Sequence, residues 1–160
     1  MKLVLVTTGG TIDKVYFDAK GHYPIGDSEV PRMLQEAQVD AEVRVVNLLA
    51  KDSLEITDAD RALIRRTVEA LPERHVLITH GTDTMEDTAR ALLGIPGKVI
   101  AITGSLSPAR FRATDAPFNL GMAVATLQTA PEGVWVTMNG HVFPGGHVHK
   151  NRAENRFEEA

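Results

Sequence analysis

The chain of 160 residues contains no cysteine and few aromatic residues, which make up 5% of it. The absence of cysteine excludes disulfide bonds and thiolate metal sites. No apolar run is long enough to span a bilayer, and the run that follows Met1 and Lys2 is too short for a signal peptide. Basic residues do not outnumber acidic ones: the formal net charge is -4, which argues against a nucleic-acid-binding surface. We therefore expect a cytoplasmic protein of one domain, covering residues 1–160, without membrane or nucleic-acid partners.

Strand-like and helix-like segments alternate along the chain. The predicted strands cover residues 3–6, 42–48, 75–79, 98–103, 134–138 and 141–143. The predicted helices cover residues 31–37, 58–71, 85–93 and 118–129. This alternation predicts a three-layer α/β fold of the Rossmann or flavodoxin type with a mostly parallel sheet. The dipeptide Asn139-Gly140 predicts a hairpin that closes the sheet, and we expect the polar residues 151–160 to be partly loose.

Small polar residues follow three of the predicted strands. They lie in VTTGGTID (residues 6–13), THGTDT (79–84) and TGS (103–105). The first loop lacks the lysine of a phosphate-binding loop, so it is suited to presenting a hydroxyl group rather than holding an anion. Because ligands bind beyond the carboxyl ends of parallel strands, we expect Thr11 and the pair Thr82 and Asp83 to share one rim. The alternative is that these are ordinary strand-to-helix turns capped by threonine and aspartate.

A threonine hydroxyl is a weak nucleophile until another group takes its proton. The candidates in this sequence are Lys150, the two tyrosines Tyr16 and Tyr23, and Asp83, which can position either kind of helper. Periodicity does not show that the fold brings any of them to Thr11.

Four segments resemble the bacterial-type L-asparaginase family. TGGTI (residues 8–12) and THGTDTMEDTA (79–89) are similar to its two signature motifs. DAPFNL (115–120) is similar to its A-D-G-P-F-N-L run, and residues 136–150 to the segment that ends in its catalytic lysine. The resemblance covers nearly all of the chain and implies a threonine amidohydrolase that needs no cofactor or metal.

The resemblance also implies a role for individual residues. Thr11 matches the nucleophile that attacks the side-chain amide and forms an acyl-enzyme. Tyr23, rather than Tyr16, matches the tyrosine of a lid that we expect over residues 13–28. The set that activates water or assists attack matches Thr82, Asp83 and Lys150. The residues matching the substrate-binding positions are Gly10, Ser53, Gly81 and Asp83.

The sequence departs from the family in several places. Family enzymes are about twice as long, and a second domain from a neighbouring subunit completes their pocket, so we expect a homodimer or homotetramer. Leu54 replaces a polar substrate contact. The segment SLSPARFR (residues 105–112) contributes Arg110 and Arg112, for which we hypothesise a role in reading a substrate carboxylate. The alternative is that these arginines are solvated or pair with Asp115.

Two other interpretations stay open. His141, His147 and His149 are candidate metal ligands together with His22 or His80, although no carboxylate or cysteine completes a recognisable set. Hairpin and loop histidines are the simpler interpretation. For function, the alternative to an amidohydrolase acting on a small amide is a non-catalytic binding module, or a subunit whose site a separate chain completes.

Overall fold

The structure, a computed structural model, describes residues 1–16, 19 and 21–160. The strands within them are β1 (Lys2–Gly9), β2 (Glu42–Lys51), β3 (His75–Thr79), β4 (Val99–Thr103), β5 (Gly133–Met138), β6 (His141–Pro144), β7 (Val148–Asn151) and β8 (Arg156–Glu159). The helices are α1 (Val30–Glu36), α2 (Asp58–Ala70), α3 (Met85–Ala91) and α4 (Ala116–Thr129). Two short 3-10 turns, Thr11–Asp13 and Ser53–Glu55, follow β1 and β2.

Six strands form one sheet in the order β2-β1-β3-β4-β5-β6. Its first five strands are parallel, and β6 pairs antiparallel with β5. Asn139 and Gly140, which join β5 to β6, have φ angles of 53° and 75°. Positive φ at both positions is what a tight type I′ hairpin turn requires. The predicted α/β fold with its mostly parallel sheet and its hairpin is confirmed.

The helices cover both faces of this sheet and give three layers. Along β1, Leu3 and Leu5 face one apolar cluster while Val4 and Val6 face the other. Helices α1 and α4 supply the first cluster, and α2 and α3 supply the second. Strands buried on both faces read as continuous apolar runs, which is why the central strands could be recognised from the sequence.

The expectation that residues 151–160 are partly loose is wrong. β8 pairs antiparallel with β7, and the Phe157 side chain is 2% exposed in the same apolar cluster as Val148. The Phe157 amide also donates a hydrogen bond of 2.8 Å to Asn139 Oδ1 in the β5–β6 turn. A single aromatic residue among charged neighbours leaves no periodic signal, so the anchoring of this strand escaped prediction.

A polar row crosses the carboxyl end of the sheet. Four threonines, one from each of β1, β3, β4 and β5, are paired in register: Thr7, Thr79, Thr103 and Thr137. At the outer end of the row, the Thr7 hydroxyl donates to Asn47 Oδ1 of β2 at 3.1 Å. The sheet therefore turns polar at the edge from which the three threonine-rich and glycine-rich loops emerge.

Candidate active site

Lys150 joins two distant parts of the chain at this edge. Its Nζ atom lies 2.7 Å from Thr82 Oγ1 and 2.7 Å from Asp83 Oδ1. The Lys150 side chain is 7% exposed, whereas the Asp83 side chain is 33% exposed. The nearly buried Lys150 side chain thus reaches a threonine hydroxyl and a carboxylate that still faces solvent. Such a hydroxyl, amine and carboxylate within hydrogen-bond reach can pass a proton among themselves.

Close backbone packing joins the loops that follow β1, β2 and β3. Gly10 has a φ of 90°, and a Cβ atom there would lie 2.4 Å from the amide nitrogen of Gly81. A Cβ on Gly81 would in turn lie 2.5 Å from Ser53 Cβ. Both positions require glycine, because any larger residue forces the loops apart. Thr11 and Thr82, which follow these two glycines, therefore start from backbones that are in direct contact.

Ser53 lies beneath this contact and is 2% exposed. Its hydroxyl accepts a hydrogen bond of 3.2 Å from the Asp83 amide, and its carbonyl accepts one of 2.7 Å from the Thr84 hydroxyl. A serine hydroxyl has one donor in addition to its acceptor lone pairs, so Ser53 can still donate to a ligand. The neighbouring Leu54 is 65% exposed and points to solvent.

His80 is a buried residue of the site whose role the sequence did not reveal. Its Nδ1 lies 2.7 Å from the Gly81 carbonyl and its Nε2 lies 2.8 Å from the Thr88 hydroxyl. Since a carbonyl only accepts, the Nδ1 proton donates to Gly81, and Nε2 accepts from Thr88. Burial lowers the pKa of His80 to about 4, so the ring is neutral at physiological pH. In a trans peptide the C=O and N–H point opposite ways, so this bond turns the Thr82 N–H away from the His80 ring.

Tyr23 lies next to a backbone bridge between the two ends of the predicted lid. Lys14 and Ile25 form an antiparallel bridge, and Tyr23 is 45% exposed beyond it. Its ring centroid lies 5.4 Å from that of Tyr16 and 5.9 Å from that of Phe111. Among the described residues, the Tyr23 hydroxyl makes no hydrogen bond to Thr11. The structure thus brings Thr82, Asp83 and Lys150 together but leaves the Tyr23 side chain partly exposed. Lid residues 17, 18 and 20 lie outside the described residues.

The base of the lid contains a buried carboxyl group. Asp13 is 2% exposed, and its Oδ1 atom has no hydrogen-bond partner among the described residues. Burial raises the pKa of Asp13 from 3.8 to about 6, against the opposing and smaller effects of the Ser28 side chain, the Glu29 backbone amide and Arg110. The carboxyl group at the start of the lid thus interacts with residues at the end of the lid but is incompletely hydrogen-bonded.

Arg110 bonds to the end of this lid and forms an ion pair with the residue that follows it. Its guanidinium group lies 2.8 Å from the Glu29 carboxylate and donates to the Asp27 carbonyl at 3.0 Å. The alternative pairing with Asp115 is wrong, because the Asp115 carboxylate accepts from two backbone amides and from Asn119. Arg112 is exposed.

The histidines considered as metal ligands are dispersed: His141 lies on β6, His149 on β7 and His147 between these strands, whereas His80 follows β3 and His22 precedes α1. His141 packs against Phe143 with ring centroids 5.5 Å apart, and His149 Nε2 lies 3.8 Å from the Glu158 carboxylate. In the described ranges, no three or more histidine, aspartate or glutamate side chains converge to hold a metal ion. The helices in those ranges are also too short or too polar to cross a membrane.

Comparisons with known proteins agree on one family. The family model described as "Asparaginase, N-terminal" matches residues 2–158. The glutaminase-asparaginase of Acinetobacter glutaminasificans is 32% identical over 162 residues, which cover 92% of this chain and 49% of that protein. The thermostable L-asparaginase from Thermococcus kodakarensis superposes with a TM-score of 0.87 at 29% identity, covering 99% of this chain and 51% of that one.

A relative with a different name is also similar. A glutamyl-tRNA(Gln) amidotransferase subunit of Pyrobaculum aerophilum is 36% identical over 143 residues, which cover 81% of this chain and 33% of that protein. The chain spans about half the length of the curated asparaginases and glutaminase-asparaginases that it matches.

Proposed function

The chain belongs to the asparaginase family, and from this premise we propose that it releases ammonia from L-asparagine or a similar small amide through a threonine acyl-enzyme. The observation that carries the proposal is the position of Lys150 Nζ, 2.7 Å from both Thr82 Oγ1 and Asp83 Oδ1. A binding module has no need of a nearly buried lysine that links a hydroxyl to a carboxylate, whereas hydrolysis of an amide requires proton transfer.

In this proposal Thr11 is the nucleophile. Its oxygen forms an ester with the acyl carbon of the substrate as the carbon–nitrogen bond breaks, and the hydroxyl proton leaves with the ammonia. Thr11 lies on the glycine-rich turn whose Gly10 contacts Gly81, so the attacking oxygen starts beside the second loop. We assign Tyr23 to support Thr11 when a bound substrate draws the lid inwards, as lids of this kind do in other enzymes.

Thr82, Asp83 and Lys150 serve the second half of the reaction. Water cleaves the ester, and the set accepts the proton of that water and returns it to the Thr11 oxygen. The bond between His80 and Gly81 turns the Thr82 N–H away from the His80 ring. We assign this N–H as the donor that stabilises the negative charge on the substrate's carbonyl oxygen. Backbone donors at such a position stabilise the tetrahedral intermediate more than the substrate.

In this assignment the substrate binds over the contact between Gly10 and Gly81. The Ser53 hydroxyl, which has a proton to donate, binds the carboxylate of the amino-acid substrate. Gly10 and Gly81 allow the backbone to approach the ligand, and the exposed part of Asp83 faces it as well.

A second candidate rests on the amidotransferase relative. Under this hypothesis the site works as a subunit whose pocket another chain completes. In a homodimer or homotetramer, that other chain would be a second copy of this one. Each form places a partner surface over the open, solvent-facing side of Asp83.

The experiment is ammonia release by the purified chain with L-asparagine, L-glutamine and other small amides. We expect turnover to be lost in Thr11→Ala and in Thr82→Val. Thr126→Val is the matched control, since the Thr126 hydroxyl donates to the Met122 carbonyl within α4. An unchanged rate in Thr11→Ala contradicts the nucleophile assignment. No turnover by the parent chain, with an amide still raising its melting temperature, supports the partner-dependent subunit instead.

A further inference from the structure

The strand that carries Lys150 has one edge without a neighbouring strand. β7 pairs only with β8 among the described residues, and Lys150 lies opposite Phe157 in that pair. The Phe157 amide points outward and donates to Asn139, so the Lys150 amide must also point outward, to the other side of the two-stranded sheet. An edge of this kind exposes backbone donors and acceptors that need partners.

Two side chains of α3 fill this edge. Glu86 Oε2 accepts a hydrogen bond of 2.7 Å from the Lys150 amide, and Arg90 donates one of 3.4 Å to the Val148 carbonyl. The two side chains also approach each other, with Arg90 Nη1 3.8 Å from Glu86 Oε1. In a parallel pair, one residue of a neighbouring strand would donate to the Val148 carbonyl and accept from the Lys150 amide. The Glu86–Arg90 pair therefore takes the place of a neighbouring strand.

The same helix follows directly after the loop that presents Thr82 and Asp83. Glu86 is four residues from Thr82, and its carboxylate reaches the backbone of the residue whose Nζ contacts that threonine. One end of Lys150 is thus fixed to α3 through the main chain, and the other end is fixed to the loop before α3 through the side chain. A shift of β7 along α3 would break both contacts together.

We propose that the Glu86–Arg90 pair is a positioning element that sets the register of Lys150 against Thr82 and Asp83. This inference rests on the proposed function for its effect on catalysis, but its geometric part does not. Glu86 does not contact substrate in this scheme; it acts through Lys150. The acceptor oxygen matters, rather than the negative charge, because the bond is to a backbone amide.

The test compares Glu86→Ala with Glu86→Gln, which keeps an acceptor oxygen and removes the charge. Glu36→Ala is the control, because Glu36 forms an i,i+4 ion pair with Arg32 on α1, a helix that packs on the other face of the sheet from α3. We expect Glu86→Ala to lower kcat on the order of tenfold with KM unchanged, since small displacements of a reacting group are costly. Glu86→Gln and Glu36→Ala should keep the parent kcat.

A second readout follows Lys150 without any substrate. Acetylation of each lysine by dilute acetic anhydride is measured by mass spectrometry, with Lys98 as the internal reference because it is buried against the Leu71 and Glu73 carbonyls. We expect Lys150 to be labelled several times faster in Glu86→Ala, at an unchanged rate in Glu86→Gln, and Lys98 to be unaffected throughout.

The outcomes separate the two proposals. Equal labelling of Lys150 in Glu86→Ala and the parent overturns the positioning role, and so does a rise for Lys98 of the same size, which indicates general loosening. If the parent releases no ammonia from any amide while the labelling follows the expected order, the positioning of Lys150 stands and the proposed function fails.

Discussion

The buried carboxyl group of Asp13 allows a quantitative test of the site's electrostatics. Asp13 has a raised pKa of about 6, from an ordinary value of 3.8, because its side chain is buried. A tenfold change in proton affinity is worth about 1.4 kcal/mol, so ionised Asp13 destabilises the folded state by about 3 kcal/mol. This cost is absent below the unfolded pKa, develops between about pH 4 and pH 6, and is complete above the folded pKa.

The perturbation is Asp13→Asn, which keeps the shape and one acceptor oxygen but carries no charge. At pH 4 the variant and the parent should unfold at nearly the same temperature. At pH 7.5 the variant should be more stable by about 3 kcal/mol, or roughly 6 to 12 °C for a chain of this size. The assay is thermal and urea unfolding followed by circular dichroism at several pH values between 4 and 8.

Two comparisons make the result interpretable. Asp40→Asn, at an exposed position, should show no such growing difference with pH. His80 opposes Asp13, because its lowered pKa of about 4 makes stability rise with pH between about 4 and 6.5. The parent profile is therefore flattened, and Asp13→Asn should uncover the rise due to His80. A gain from Asp13→Asn that is the same at pH 4 and pH 7.5, or a loss at pH 7.5, would refute the reasoning.

Three further substitutions test the packing around the site. Gly10→Ala places a methyl group 2.4 Å from the Gly81 nitrogen at a φ of 90°, so we expect a loss on the order of 3 kcal/mol in urea unfolding and no turnover; a stable, active variant would contradict the loop contact. Phe157→Ala should cost about 3 to 5 kcal/mol, and unchanged unfolding would show that the last strand is not part of the core. Arg110→Ala breaks the ion pair with Glu29, so we expect a lower unfolding temperature with the KM for asparagine unchanged; a raised KM with unchanged unfolding would favour the carboxylate-reading hypothesis.

Much of the fold could be predicted because its signals are local. The bounds predicted for β3 agree with those in the structure, since this strand is a short apolar run between polar turns. The Asn139-Gly140 turn is recognisable from two residues that tolerate positive φ. The last strand could not be predicted, because its stability comes from one buried ring and a hydrogen bond to Asn139, eighteen residues away.

The site was predictable as a set of residues but not as a geometry. Thr82 and Lys150 are 68 residues apart, and only their resemblance to a family motif suggests that they belong together. The partners of the His80 ring and of the Lys150 amide could not be predicted, since they depend on how the loop after β3 and the edge of β7 lie against α3. A histidine directly after an apolar strand is the one hint that a ring is buried there.

The most direct test of the proposed chemistry is to trap the acyl-enzyme. The chain is mixed with L-asparagine, or with the amide on which it is most active, quenched in acid within milliseconds, digested and examined by mass spectrometry. We predict one acyl group on the peptide that contains Thr11, absent from Thr11→Ala. An adduct on the peptide that contains Thr82, or full turnover with Thr11→Ala, would contradict the assignment of Thr11 as the nucleophile.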